Sequence, residues 1–261
     1  MGQFETHDFS GAFYDPANSG HGWFFEQIAG ANGPSLLAGW YAYRDGDQLW
    51  MIGTAPIEGD RATIPMTLLS GGDFPPNFDP ASVTTQPFGT LQVVMDDSDH
   101  GHATWTSEVE GLGSGEADII RLSNVSNSTE GDQLSGCHSG SWFNTQQSGH
   151  GLQLEVLDSG DARTALAVWY HYLNGEPRWL IGSGPVDGDH ADLAMVITHG
   201  PDFPPNYDAA DKVQEPWGTL RFSVDGANQA QINWDADYAD YGDGSMDLTR
   251  LTTLDGHACM P

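Results

Sequence analysis

The chain has 261 residues, with 37 acidic side chains against 8 basic ones, a formal charge of −29, and Lys212 as its one lysine. That balance rules against a nucleic-acid binder, because phosphate recognition draws its affinity from Lys and Arg displacing counterions, and the same repulsion disfavours anionic membrane surfaces. Disorder is a poor reading, since 38% of residues are hydrophobic and nine Trp, eight Tyr and eleven Phe suffice for a core; the acids read as the hydrated surface of a halophilic protein.

The start, Met1-Gly2-Gln3-Phe4, has neither a basic n-region nor an apolar h-region, so any secretion signal is expected to have been removed or never to have existed. No run of 18 apolar residues reads as a membrane helix, and membrane insertion is not expected. Alternation at period two then predicts strands near 11–15, 21–29, 36–44, 47–55, 61–70, 88–96, 102–109 and 115–122. Turns such as Asp45-Gly46-Asp47 and Glu58-Gly59-Asp60 separate them. After a polar stretch, Asn124 to Gly131, the pattern starts again.

The second half repeats the first without a gap. Ser19-Gly20-His21-Gly22 recurs as Ser148-Gly149-His150-Gly151, and Asp73-Phe74-Pro75-Pro76-Asn77-Phe78-Asp79 as Asp202-Phe203-Pro204-Pro205-Asn206-Tyr207-Asp208, each 129 positions later. Trp40, Trp50, Trp105 and Arg121 reappear at the same offset as Trp169, Trp179, Trp234 and Arg250. The expected organisation is a first repeat over 8–123, a linker over 124–136 and a second repeat over 137–261. Cys137 and Cys259 bracket that second repeat, which suits a disulfide closing one domain outside the cytosol, hence a secreted or periplasmic location. The fold class is all-β: two tandem eight-stranded antiparallel meander β-barrels, packed on each other, with two β-sandwiches as the alternative.

Paired positions that exchange only apolar residues mark the inner face. Ala62/Ala191, Ile64/Leu193, Met66/Met195 and Leu68/Ile197 alternate with Arg61/His190, Thr63/Asp192 and Thr67/Val196. On the last strand, Arg121 and Arg250 occupy a face otherwise apolar. Gly11-Ala12-Phe13 and Gly140-Ser141-Trp142 open the two halves that these arginines close. This arrangement resembles the calycin superfamily, the lipocalins and avidins, in which a first-strand Gly-x-Trp packs beneath a basic residue of the last strand. The resemblance implies a barrel latched by Arg121, Arg250 and Trp142. Gly140-Ser141-Trp142-Phe143-Asn144 with Ser148 is similar to avidins in particular, where the matching Asn and Ser bind the polar head of biotin; the first repeat departs from this with Asp15 at the Asn position.

Ser19, His21, Trp23 and Phe25 share one strand face, as do Ser148, His150, Leu152 and Leu154, so both histidines are expected inside a barrel mouth. There an imidazole can meet a ligand, act as a base or simply bond a loop carbonyl. Glu26 and Glu155 face the other way and read as solvated acids, with pairing to an outward base or to the next barrel as the alternative. Tyr41 with Tyr43, and Tyr170 with Tyr172, put phenols opposite Trp40 and Trp169; such stripes are core unless a pocket exposes the hydroxyls. The Asp-Phe-Pro-Pro-Asn loop reads as a stiff connector whose oxygens cap turns, with Ca²⁺ possible and no other cofactor expected. His100 and His102 are the weak candidates for a metal, without a third ligand.

The leading expectation is therefore a secreted tandem barrel that binds a small molecule or glycan without turnover, through Ser19, His21, Trp40, Tyr43, Asn144, Ser148, His150, Trp169 and Tyr172. An extracellular polysaccharide-active lyase or hydrolase is the second, with His21 or His150 as base and Tyr41, Tyr43, Tyr170 or Tyr172 as acid. A structural or adhesive surface protein is the third.

Overall fold

A computed structural model describes residues 8–30 and 33–260. The Met1 to Phe4 segment read for a leader lies outside them. The first repeat forms β1 (Gly11–Tyr14), β2 (Gly22–Ile28), β3 (Ser35–Arg44), β4 (Asp47–Glu58), β5 (Arg61–Ser70), β6 (Thr84–Met95), β7 (His100–Ser107) and β8 (Ser114–Arg121). The second forms β9 (Gly140–Phe143), β10 (Gly151–Ser159), β11 (Ala162–Leu173), β12 (Glu176–Asp187), β13 (His190–His199), β14 (Val213–Val224), β15 (Gln229–Ala236) and β16 (Asp243–Arg250). Each set is an antiparallel meander that closes into a barrel: β1 pairs with both β2 and β8, and β9 with both β10 and β16. No helix is long and apolar enough to cross a membrane among the described residues.

Local chemistry explains the register. Asp45-Gly46 and Asn174-Gly175 take positive φ at both positions (53° and 88°; 54° and 84°), the hairpin geometry whose twist matches the flanking strands. β6 starts at Thr84, four residues before the apolar alternation that predicts it. In its counterpart β14 the pairing slips between Met195↔Gly218 and Val196↔Pro216, leaving Trp217 as the extra residue of a bulge. The bulge accommodates Pro216 and sends the Trp217 ring inward, where it is fully buried.

Both interiors are filled with side chains. The first holds Trp23, Trp40, Phe88 and Trp105 among smaller aliphatics, the second Trp142, Trp169, Trp217 and Trp234. An eight-stranded barrel is about wide enough to be packed solid in this way.

The arginine anomaly is the seam of each barrel. Phe13 and Arg121 are register partners across β1 and β8, with the guanidinium 4.7 Å from the ring centroid. Its nitrogens donate to the carbonyls of Ser98, Ser10 and Asp8. Arg250 lies 5.8 Å over Trp142 and donates to the carbonyls of Thr252, Ser139 and Ala227. Lysine keeps the charge but not the planar fork of donors. Arg121→Lys is thus expected to lower the unfolding free energy by about 1–3 kcal/mol, the cost of leaving the buried Ser10 carbonyl without its donor. An unchanged urea midpoint would remove the latch role.

Two compact units result. The first comprises residues up to 69 with 85–124 and 200–212; the second comprises 70–84, 125–199 and 213 onward. Each unit is thus one repeat's barrel carrying the Pro-Pro loop of the other repeat. The disulfide Cys137–Cys259 is formed and lies wholly in the second unit.

One outward assignment is corrected. Glu26 and Glu155 are each only 4% exposed rather than solvated. The outer surface of β2 to β4 carries Phe24, Tyr41 and Trp50, all buried, with the Phe24 and Tyr41 rings meeting edge-on at 6.1 Å. That surface is a second apolar face, and Glu26 lies within it; Glu155 lies in the matching face beside Val168, Tyr170 and Trp179.

Candidate functional site

The repeated Ser-Gly-His-Gly segment meets the Pro-Pro loop at the rim of each barrel. In the first unit, Trp40 Nε1 donates to His21 Nδ1 at 3.4 Å, and the His21 ring stands 5.0 Å from Tyr207 and 5.4 Å from Trp23. Tyr207 donates its hydroxyl to the Ser19 carbonyl at 2.9 Å, and Tyr43 donates to the Gly20 carbonyl at 3.0 Å. In the second unit, Trp169 Nε1 donates to His150 Nδ1 at 3.4 Å, Nε2 of the same ring lies 3.3 Å from Gln147 Oε1, and Phe78 packs on it at 4.6 Å. Tyr172 donates to the Gly149 carbonyl at 3.0 Å.

The glycine before each histidine admits the loop. Gly20 and Gly149 both have φ of 133°, and a Cβ would lie 2.2 Å from the Tyr207 hydroxyl in the first case and 3.1 Å from Phe78 Cζ in the second. The conformation disfavours a side chain at both, and at Gly20 the space excludes one as well. Gly20→Ala is expected to expel Tyr207, giving a rise in solvent exposure that tyrosine fluorescence quenching would detect. Quenching equal to the unmodified protein would mean that the rim relaxes without losing the contact.

Deeper in, each loop contributes a phenylalanine to the aromatic core. Phe203 packs on Trp40 at 5.1 Å in the first unit. Phe74 sits among Trp169 (4.9 Å), His171 (5.1 Å), Trp234 (5.7 Å) and Tyr241 (4.7 Å) in the second. The loop is therefore a barrel plug as well as a connector. Its acids cap turns: Asp73 Oδ1 accepts from the Phe74 and Asn174 amides, and Asp202 Oδ1 from those of Phe203 and Asp45.

Burial fixes the electrostatics of the histidines. Desolvation lowers His21 to about 4, with Asp15 opposing it in part, and lowers His150 to about 4 as well. Both are neutral at neutral pH. Burial pushes the phenols up, Tyr207 to about 12 and Tyr172 further. His171, which the sequence comparison passed over because the first repeat has Ala42 there, is fully buried and lowered to about 3. Its Nδ1–H donates to the Trp169 carbonyl at 3.1 Å and its Nε2 faces the Tyr241 hydroxyl at 3.4 Å.

The other expected residues take other roles. Ser19 and Ser148 are exposed in the turns before their strands, not on the inward face, because β2 and β10 begin only at Gly22 and Gly151. Trp40 and Trp169 are core, and Tyr41 and Tyr170 lie buried on the outer face. Asn144 donates to the Asp247 carbonyl at 2.8 Å and accepts from the Gln146 amide. Asp15 likewise accepts from the Ala17 amide and the Asn18 side chain. His100 and His102 are exposed and held by carboxylates, His100 by Asp97 and His102 by both Asp96 (2.9 Å) and Asp118 (2.8 Å).

His102 and Asp118 border an open groove of about 460 Å³ in the first unit, lined also by Asp15, Asn18, Thr104 and Glu116. It offers carboxylate, amide and hydroxyl groups on a fixed strand surface. The equivalent positions in the second repeat are Asn144, Gln147, Gln231, Asn233, Ser245 and Asp247, with one acid in place of three. No family model, curated protein or solved structure matches the chain.

Proposed function

We propose that the chain is a secreted binding protein that holds a small hydroxyl-rich ligand, a glycan, without turning it over. The observation that carries this reading is the groove beside Asp15, His102, Glu116 and Asp118, an open concavity of about 460 Å³ outside a barrel interior that is already filled. Carboxylate and amide oxygens accept from sugar hydroxyls, and the Asn18 amide and Thr104 hydroxyl can donate to them. The disulfide supports an oxidising location. Against turnover stand the rim histidines: neutral, buried, and accompanied by tyrosines whose hydroxyls are committed to carbonyls. A general base needs a reachable imidazole of pKa near the working pH.

Calorimetric titration with a panel of mono- and oligosaccharides tests this. Binding is expected to weaken about tenfold or more, over 1.4 kcal/mol, in Glu116→Gln and Thr104→Val, and to survive His21→Ala. The absence of binding by any sugar, or the appearance of new reducing ends on incubation, would overturn the reading.

A further inference from the structure

The stretch that joins the two repeats carries a pattern found in neither barrel. Of the asparagines in the chain, only Asn124 and Asn127 have a serine or threonine two positions on, in Asn124-Val125-Ser126 and Asn127-Ser128-Thr129, and neither middle residue is proline. Asn-x-Ser/Thr is the acceptor pattern for N-linked glycans, in which a transferase reads the hydroxyl and glycosylates the amide. The offset of 129 places Thr253 and Gly256 opposite the two asparagines, so the pattern belongs to the join and not to the repeat.

The fold separates the two triplets. Both asparagines are exposed, and neither side-chain amide is hydrogen-bonded among the described residues. Ser126, by contrast, is only 2% exposed. Its amide donates to the Val156 carbonyl at 2.8 Å and its hydroxyl to Asp158 Oδ1 at 2.8 Å, while Val125 bridges Leu157. The first triplet is thus bound down along β10 with its hydroxyl committed. In the second triplet Thr129 is half-buried, and its hydroxyl is not engaged among the described residues. The carbonyls of Ser128 and Thr129 accept from the Cys137 and Met260 amides at 2.9 and 2.8 Å, which fixes the backbone and leaves the Asn127 side chain in solvent.

We propose that Asn127 is an N-glycan acceptor, modified by a transferase that uses a lipid-linked glycosyl phosphate. This rests on the secreted location proposed above, which the disulfide Cys137–Cys259 supports. The amide nitrogen attacks the anomeric carbon of the donor. As the C–N bond forms, the anomeric C–O bond breaks, the lipid phosphate leaves with the bonding electrons, and one amide proton passes to solvent, with no oxidant or reductant involved. The glycan stands on the join between the repeats, clear of the two filled interiors, and shields an exposed polar stretch of the kind that proteases nick.

The test uses the full chain from its natural source, recovered separately from the medium and from the cells. Fragmentation mass spectrometry of the peptide containing residues 124–131 is expected to find a glycan on Asn127 in the secreted chain. Thr129→Ala made in the same cells is expected to lose it, and Thr129→Ser, which keeps the hydroxyl, to retain it. The urea midpoint of each variant separates loss of the acceptor from loss of the fold; if Thr129→Ala shifts it, Asn127→Gln, at an exposed and unbonded side chain, takes its place. A secreted chain bare at Asn127, a glycan carried by Asn124 alone, or undiminished glycosylation in the folded variant would each overturn the proposal and leave secretion standing. A bare chain found only inside the cells would overturn the location as well.

Discussion

Phe74→Ala is expected to lower the unfolding free energy by about 3–5 kcal/mol, the range for deleting a fully packed phenyl ring. Phe74 is 2% exposed and touches four aromatic residues of the second barrel at centroid distances of 4.7–5.7 Å. The loop's neck, fixed by the reciprocal Gly71–Gly175 and Gly72–Gly175 backbone bonds, cannot follow the ring inward to fill the void. Little of the cost is therefore recovered by collapse.

The location of the damage is as informative as its size. Although Phe74 belongs by sequence to the first repeat, its contacts lie on β11, β15 and the β15–β16 connection, so hydrogen exchange should accelerate there. Phe203→Ala should do the reverse, loosening β3 and β7 through Trp40 and Trp105. Acceleration confined to β5 and β6 in Phe74→Ala would show that the loop supports only the strands it connects.

Much of this architecture is legible in the sequence because period two and a gap-free offset of 129 constrain each other. Every strand predicted in the first repeat is present within a few residues, and its counterpart follows. The seam arginines are legible for the same reason: a charge retained twice on an apolar face must be bonded to something. What alternation cannot show is a partner distant in sequence. The plugging role of Phe74 and Phe203 was signalled only by an apolar residue kept in both copies of a polar, Pro-rich loop. Glu26 and Glu155 were misread because alternation implies one buried face, whereas Phe24, Tyr41 and Trp50 make the outer face apolar as well. His171 and Tyr241 escaped for the opposite reason, being Ala42 and Leu112 in the first repeat, so that comparing copies hid them.

Stability should fall as the pH drops from 7 to 5, although acidification reduces the net charge of −29. His21 and His150 are lowered to about 4 and His171 to about 3 by burial, against about 6.5 in an unfolded chain. Above pH 6.5 these rings are neutral in both states, and the folded state has its full advantage. Below it the unfolded chain binds protons that the folded one refuses, so unfolding gains ground until the folded rings protonate near pH 4 and 3. At pH 5 the loss is on the order of 2 kcal/mol for each buried histidine. Relief of carboxylate repulsion opposes this, but Asp and Glu take up protons mainly near pH 4, leaving the histidines dominant between 6.5 and 5. Urea unfolding at pH 7, 6 and 5 measures the slope, and His171→Phe, which keeps a ring in the same aromatic cluster, should reduce it by nearly one proton. A flat profile across that interval, or an unchanged slope in His171→Phe, would mean that these imidazoles reach water before the fold opens, and with it that the plugged rims breathe in the native state.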